Sequence, residues 1–294
     1  MVSFREELQQ TFRSGNTLNL LLLINLIVFL VFLILESFLK LFMVDNVEVY
    51  TINFLAVSSA PSQLIFKPWT ILTYQFLHTT FLHILFNLLW LFWMGKIFVG
   101  YLGMKKLLST YILGGIAGAI LFMISYNVFP LFTNAHPRPL LGASAGVMAV
   151  TFAITAYIPN YTLNLMFIGP VRLKYIALVC VILDLIRMSG GNAGGHISHL
   201  GGALYGFIFA MNLKGGKNIA GWFDRFAEKI KGLFSRRKMK VIKKKRPLTD
   251  EEYLQNKKVS QDRIDAILDK ISRSGYGSLT AEERDILFNY SNKK

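Results

Sequence analysis

The chain has 294 residues, of which 53% are hydrophobic and 17% are charged, and its formal net charge is +15 at pH 7. Soluble domains carry about 25% charged residues, so this composition argues against an ordinary soluble globular protein. The one cysteine, Cys180, excludes an intrachain disulfide. The positive charge does not point to nucleic acid, because basic residues that orient a membrane protein account for it.

Apolar segments in chain order predict an all-α, polytopic membrane protein with six transmembrane helices. Several of the segments reach the ~20 residues that a helix needs to cross roughly 30 Å of hydrocarbon. The predicted spans are residues 18–39, 76–99, 107–129, 143–158, 175–188 and 195–213. The fourth and fifth are short, which is tolerated where other helices, rather than lipid, cover the ends of a span.

Basic residues predict the orientation of these spans, because short cytoplasmic connections are enriched in Lys and Arg. They lie at the end of the second, fourth and sixth spans or after them, as Lys96, Lys105, Lys106, Arg172, Lys174 and the run 236–246. The opposite connections are acidic or nearly neutral. Both termini are therefore expected in the cytoplasm, and the predicted location is the inner (plasma) membrane of a bacterium.

Four regions are expected along the chain. Residues 1–15 form a cytoplasmic N-terminus, 16–213 the membrane domain, 214–246 an amphipathic helix with a basic juxtamembrane segment, and 247–294 a small helical cytoplasmic tail. The run 236–246 would be attracted to anionic lipid by about 1 kcal/mol per charge. An equally supported interpretation is that the run acts only as a topological stop signal.

Two capping boxes begin predicted helices of the tail, Thr249 with Glu252 and Thr280 with Glu283. The tail is expected to act in docking or regulation, and the sequence identifies no partner for it.

The segment Gly142-x-Ser144-x-Gly146 opens the fourth predicted span. Alone it is a weak signal, because small residues also let membrane helices pack closely. A serine in the first turn of a helix nevertheless lies among backbone N–H groups that have no partner within the helix. Those donors and the positive end of the helix dipole stabilise an oxyanion that forms beside the hydroxyl.

His199 lies near the start of the sixth predicted span, at the same outer end. Gly202 and Gly206 share its helix face, as Gly142 and Gly146 share a face of the fourth span. Two such smooth faces are expected to bring Ser144 and His199 within the roughly 2.6–3.2 Å of a hydrogen bond. His196, one turn nearer the outside, is expected in the loop or at the entrance.

His83 and Asn87 lie four residues apart in the second span and so point the same way. They fit donors to an oxyanion, although each alone is better explained as an interhelical hydrogen bond. A metal site is the competing interpretation, because histidines gather at this end. It is disfavoured because no carboxylate or thiolate is expected beside them, and Ser144 would then have no role, so neither metal nor cofactor is predicted.

Together these residues resemble the rhomboid intramembrane serine proteases across the second to sixth spans. The motifs that carry the resemblance are Pro68-Trp69-Thr70, His83-x-x-x-Asn87, Gly142-x-Ser144-x-Gly146, and His199-Leu200-Gly201-Gly202 with Gly206. The resemblance implies a six-helix rhomboid-like bundle that cleaves transmembrane proteins near the outer face without a cofactor, and that admits substrate beside its fifth helix. It also implies a catalytic dyad without an acidic third member. Ser144 would be the nucleophile and His199 the general base, and His83, Asn87 and the backbone N–H of Ser144 would form the oxyanion hole.

Two positions depart from the family's pattern, Val99 where an acidic residue is common and Met148 where an aromatic residue often supports the histidine ring. Asp184 and Arg187, one turn apart in the fifth span, are expected to pair with each other. The alternative function is a catalytically inactive rhomboid-like protein that binds transmembrane helices. A polytopic transporter ranks third.

Overall fold

The structure, a computed structural model, describes residues 16–133, 137–165, 169–234 and 249–291. The predicted N-terminus 1–15 and the basic run 236–246 lie outside the described residues. Contacts divide the chain into two compact units, Met1–Ser235 and Arg236–Lys294.

The first unit is mostly helical. Its first half contains α1 (Thr17–Leu41), α2 (Val47–Leu55), β1 (Val57–Ser58), α3 (Pro61–Phe66), α4 (Thr70–Thr73), a 3-10 turn (Tyr74–Phe76), α5 (Phe81–Leu102) and α6 (Met104–Val128). Its second half contains α7 (Pro130–Thr133), β2 (Pro139–Leu140), α8 (Ser144–Tyr157), β3 (Thr162–Leu165), β4 (Gly169–Arg172), α9 (Leu173–Arg187), α10 (Ala193–Lys214) and α11 (Gly221–Phe234).

Within the described ranges, three helices are long and apolar enough to cross a membrane, α1, α5 and α6. The protein is therefore a multi-helix membrane protein, whereas the six spans expected from the sequence stay a prediction for α8, α9 and α10. The second predicted span begins at residue 76, but α5 begins only at Phe81. The chain turns at Tyr74–Phe76 and is extended at Leu77 and Thr80, which separates the turn from the helix.

The core of the first unit is centred on α8, which packs against α5, α6 and α10. Most of its 14 residues are buried, including Ala145, Ala149 and Ala153. A helix so enclosed by protein needs no long lipid-facing surface, which explains its short length.

Small residues let α10 approach α8 closely. A Cβ atom added at Gly202 would overlap the carbonyl oxygen of Ala145, and one added at Gly206 would overlap that of Ala149. On α6, a Cβ at Gly118 would come within 2.6 Å of the Ala145 methyl carbon. Backbones in such contact gain dispersion energy that larger side chains would prevent.

Two short antiparallel strand pairs connect the helices. β1 pairs with β2, with Val57 opposite Leu140, and β3 pairs with β4, with Leu163 opposite Val171. The first pair ties the segment that leads to α8 to the loop between α2 and α3, and so supports the chain just before Ser144.

The second unit contains α12 (Asp250–Ser274), a 3-10 turn (Tyr276–Ser278) and α13 (Ala281–Ser291). Its small apolar core includes Ile264, Ile267 and Leu279. The capping box predicted at Thr280 is confirmed, because the Thr280 N–H donates to Glu283 Oε2 at 2.7 Å and the Glu283 N–H donates to Thr280 Oγ1 at 3.3 Å.

The other predicted capping box cannot be compared in the same way, since the side chain of Glu252 lies outside the described residues.

Candidate active site

A cavity of about 760 Å³ opens among α5, α8, α9 and α10. The polar residues that line it include His83, Asn87, Ser144, Asp184, His196 and His199. They come from the first two turns of α5 and α10, from the first turn of α8 and from the last turn of α9. The basic residues of the connections lie at the opposite helix ends, for example Lys105 at the start of α6 and Lys214 at the end of α10.

Ser144 is the first residue of α8, and a tight turn positions it. Gly142 adopts φ +116°, a conformation that favours glycine, and a Cβ there would lie 2.7 Å from the His83 ring. The Gly142 N–H donates to the carbonyl oxygen of Tyr74 at 2.8 Å. This turn places Ser144 at the start of the helix, where the backbone N–H groups of the first turn have no hydrogen-bond partner within the helix.

His78 also holds this turn, a role that the sequence did not reveal. Its Nε2 accepts a hydrogen bond from the Ala143 N–H at 3.3 Å, while its Nδ1 lies 3.3 Å from the carbonyl oxygen of Phe76. Both contacts are satisfied when the proton is on Nδ1. The ring is completely buried, and the only sequence signal was a polar residue that opens the segment 78–87.

His83 and Asn87 face the cavity from the first two turns of α5. The Asn87 amide donates to the carbonyl oxygen of His83 at 2.8 Å, which fixes the direction of the amide. A primary amide carries two N–H bonds, so one such bond does not exhaust its donors. The predicted pair therefore lies beside Ser144 on the same cavity.

The four glycines that were expected to pack at the site have different neighbours. Gly202 and Gly206 contact α8, as described above. A Cβ at Gly146 would instead lie 2.7 Å from the carbonyl oxygen of Tyr111 on α6, and Gly142 precedes the helix. The structure thus brings one glycine face of α10 against alanines of α8, and not two glycine faces together.

Asp184 contacts two histidines in the cavity. Its Oδ1 lies 2.8 Å from Nδ1 of His196 and 2.9 Å from Nδ1 of His199. The side chain is only 8% exposed. The expected pairing of Asp184 with Arg187 is replaced by these two contacts, because α9 is rotated so that Asp184 faces α10.

The donor set of these three side chains also matches a metal site. Their ligand atoms all lie within 4.8 Å of one another, and two imidazoles with one carboxylate are typical zinc ligands. The expectation that no carboxylate accompanies the histidines is therefore wrong. The predicted absence of a metal stays a prediction.

The two departures from the family's pattern lie in different places. Met148 is buried and lines the cavity, whereas Val99 packs against the core far along α5. The indole N–H of Trp90, which also lines the cavity, donates to Thr151 Oγ1 at 3.0 Å and ties α5 to α8.

Comparison with known proteins supplies two family matches. Residues 66–215 match the model of the rhomboid domain, and residues 249–293 match that of a family of unknown function, DUF6576. The first match covers half of the chain and contains the whole cavity.

Three relatives are similar to part of the chain. RHOMBOID-like protein 12, mitochondrial, of Arabidopsis thaliana is 28% identical over 158 residues, which are 50% of this chain and 47% of the relative. Presenilin-associated rhomboid-like protein A, mitochondrial, of Danio rerio is 30% identical over 137 residues, 45% of this chain and 34% of the relative. Rhomboid-like protease 3 of Toxoplasma gondii is 28% identical over 158 residues, 53% of this chain and 56% of the relative. The chain thus spans between about a third and just over half of the length of these relatives.

Proposed function

The chain belongs to the rhomboid family, and on that premise we propose that it is an intramembrane serine endopeptidase that hydrolyses peptide bonds of transmembrane proteins. One observation carries the proposal: Ser144, His199, His83 and Asn87 line a single cavity at the helix ends opposite the basic connections. The name of the Toxoplasma relative, a rhomboid-like protease, agrees with this activity.

The proposed reaction is acyl transfer through Ser144. His199 accepts the proton of the Ser144 hydroxyl as the oxygen attacks the peptide carbonyl, and the same proton then passes to the leaving amine. Water hydrolyses the resulting acyl-enzyme in a second step of the same kind. The cavity supports this second step, because it is large enough to hold water beside Ser144.

The oxyanion of the tetrahedral intermediate would be stabilised by His83, by Asn87 and by the backbone N–H of Ser144. These donors lie on α5 and at the start of α8, on the walls of the same cavity. The positive end of the α8 dipole adds to their effect. Loss of one such donor typically raises the barrier by about 3–4 kcal/mol.

Substrates are proposed to be transmembrane proteins cut near the outer face, with both termini of the enzyme in the cytoplasm of a bacterium. The helix ends that carry the basic connections lie away from the cavity and support this orientation. On α11, Trp222 and Phe226 are exposed, and Glu228 of the same helix lies 2.6 Å from Lys105 of α6. α11 therefore lies at the basic end, where an amphipathic helix would rest on the inner leaflet.

Labelling with a fluorophosphonate probe tests the proposal, because the probe reacts with an activated serine. We expect purified protein in detergent to be labelled, and labelling to be lost in Ser144→Ala and His199→Ala. His196→Ala should keep most of the labelling. Labelling that persists in Ser144→Ala would refute the protease assignment.

The alternative, an inactive rhomboid-like protein that binds transmembrane helices, predicts a different outcome. Such a protein would bind a single-span reporter protein in liposomes without cutting it and would not react with the probe. The placement of a serine and a histidine on one cavity favours the protease, since helix binding alone needs neither residue.

A further inference from the structure

We infer that Asp184 is a positioning residue that holds His199 in the tautomer required of a general base, so that the site works as Ser144–His199–Asp184. The inference rests on the proposed function. It differs from the dyad that the family resemblance implies, because the third member is an acidic side chain contributed by α9.

The placement of the three side chains follows from the helices. His196 and His199 are three residues apart on α10, so both rings project from the same face. Asp184 lies near the end of α9, which packs beside α10. One carboxylate oxygen thus lies 2.8 Å from Nδ1 of His196 and 2.9 Å from Nδ1 of His199.

The chemistry of these contacts fixes the position of the proton on His199. An ionised carboxylate only accepts hydrogen bonds, so Nδ1 of His199 must be the donor. In a neutral imidazole the other nitrogen, Nε2, is then unprotonated. An unprotonated Nε2 is the state in which the ring accepts the proton of Ser144.

The carboxylate would act a second time after that proton transfer. The imidazolium that forms carries a positive charge, and the negative charge of Asp184 lies in contact with it. Such a pair is stabilised strongly where water is largely excluded. With side-chain exposures of 8% for Asp184 and 22% for His199, the contact is mostly shielded.

His196 has a supporting role in this arrangement. Its Nδ1 donates to the same oxygen, and so it holds the carboxylate on the α10 side of the cavity. A carboxylate oxygen has two lone-pair sites, and two donors can use it at once. His196 can therefore be replaced at smaller cost than Asp184.

The test measures the rate constant of fluorophosphonate labelling at saturating probe, the apparent binding constant of the probe, and the fraction of protein labelled at the end point. The variants are Asp184→Asn, Asp184→Glu and the matched control His196→Gln, in the full chain in detergent. The asparagine keeps the shape, removes the charge, and can donate its N–H to Nδ1 and so enforce the wrong tautomer.

For Asp184→Asn we expect the rate constant to fall about 10²- to 10⁴-fold, with the binding constant within about threefold and the end point unchanged. Asp184→Glu should recover part of the rate, and His196→Gln should lose less than about tenfold. A merely structural role would lower the end point, because fewer molecules would be folded, and would leave the rate of the folded molecules unchanged.

Three outcomes would overturn the inference. One is an Asp184→Asn rate within threefold of the wild type, and another is a loss confined to the end point. The third is loss of wild-type labelling with a chelator and its return with zinc, since Asp184 would then be a metal ligand. Failure of the proposed function is distinguishable, because the wild-type protein would then not be labelled at all, or Ser144→Ala would remain labelled.

Discussion

A single methyl group added at Gly202 should separate α8 from α10 and slow catalysis. The new Cβ would lie 2.8 Å from the carbonyl carbon of Ala145 and would overlap the carbonyl oxygen, where ordinary contacts begin near 3.4 Å. Both obstructing atoms are backbone, so no side chain can rotate away. The helices must therefore move apart by roughly half an ångström or more, which typically costs about 1–3 kcal/mol.

Gly202→Ala should change the rate of catalysis more than it changes the stability of the fold. His199 lies one turn before Gly202 on α10, and Ser144 lies next to Ala145 on α8, so the same shift separates the base from the nucleophile. Misplacement of reacting groups by about 1 Å can cost on the order of 10² in rate. We expect the labelling rate of Gly202→Ala to fall by about that factor.

Gly100→Ala on α5 is the matched control, because a Cβ there meets no atom within 4 Å. Alanine is favoured over glycine inside a helix by about 1 kcal/mol, and this gain applies to both variants. The assay compares the probe-labelling rate and the midpoint of thermal inactivation of the two proteins. If Gly202→Ala reacts as fast as Gly100→Ala and is inactivated at the same temperature, the close contact of α8 with α10 is refuted.

Three further predictions concern separate contacts. Trp90→Phe removes the bond to Thr151, and we expect the unfolding free energy to fall by about 1 kcal/mol with little change in probe binding, as measured by thermal inactivation and by labelling. Asn87→Ala should lower the labelling rate by about 10²- to 10³-fold at an unchanged end point, because an oxyanion donor is lost. Lys270 holds the pKa of Glu283 below its ordinary value. That contact stabilises the start of α13 fully at pH values above the ordinary pKa of glutamate, and the stabilisation is lost as the pH falls through the lowered pKa of Glu283. We therefore expect hydrogen exchange in the full chain to show α13 better protected in the wild type than in Glu283→Gln at neutral pH, and equally protected in both at low pH.

The sequence predicted the parts of the site that lie within one helix. Helical spacing places His83 beside Asn87 and places Gly202 and Gly206 on the face that holds His199. In the structure, His83, Asn87 and His199 line one cavity, and Gly202 and Gly206 contact α8. These predictions succeed because i, i+3 and i, i+4 neighbours are determined by helix geometry alone.

The features that the sequence missed depend on how one element is rotated against another. Asp184 was expected to pair with Arg187, because a one-turn neighbour is the only partner that spacing can identify. Its actual partners, His196 and His199, lie on α10. The rotation of α9 about its axis determines whether Asp184 faces these histidines, and helical spacing alone does not predict that rotation. Gly146 faces α6 for the same reason. His78 lies in an extended segment before α5, where no periodicity signals that its ring is buried.

The contacts of Asp184 also constrain how substrate could reach Ser144. The family resemblance places substrate access beside the fifth span, which is α9. The described side chains that α9 buries are few, Leu173, Ile176, Ala177 and Asp184, and three of these four lie in its first half. The two hydrogen bonds of Asp184 are therefore the main polar attachment of its last turn to α10. If α9 moved outward at that end to admit a substrate, it would withdraw the carboxylate from His199. A serine activated through Asp184 would then be reactive only after α9 had returned, which would couple closure of the cavity to the proton transfer.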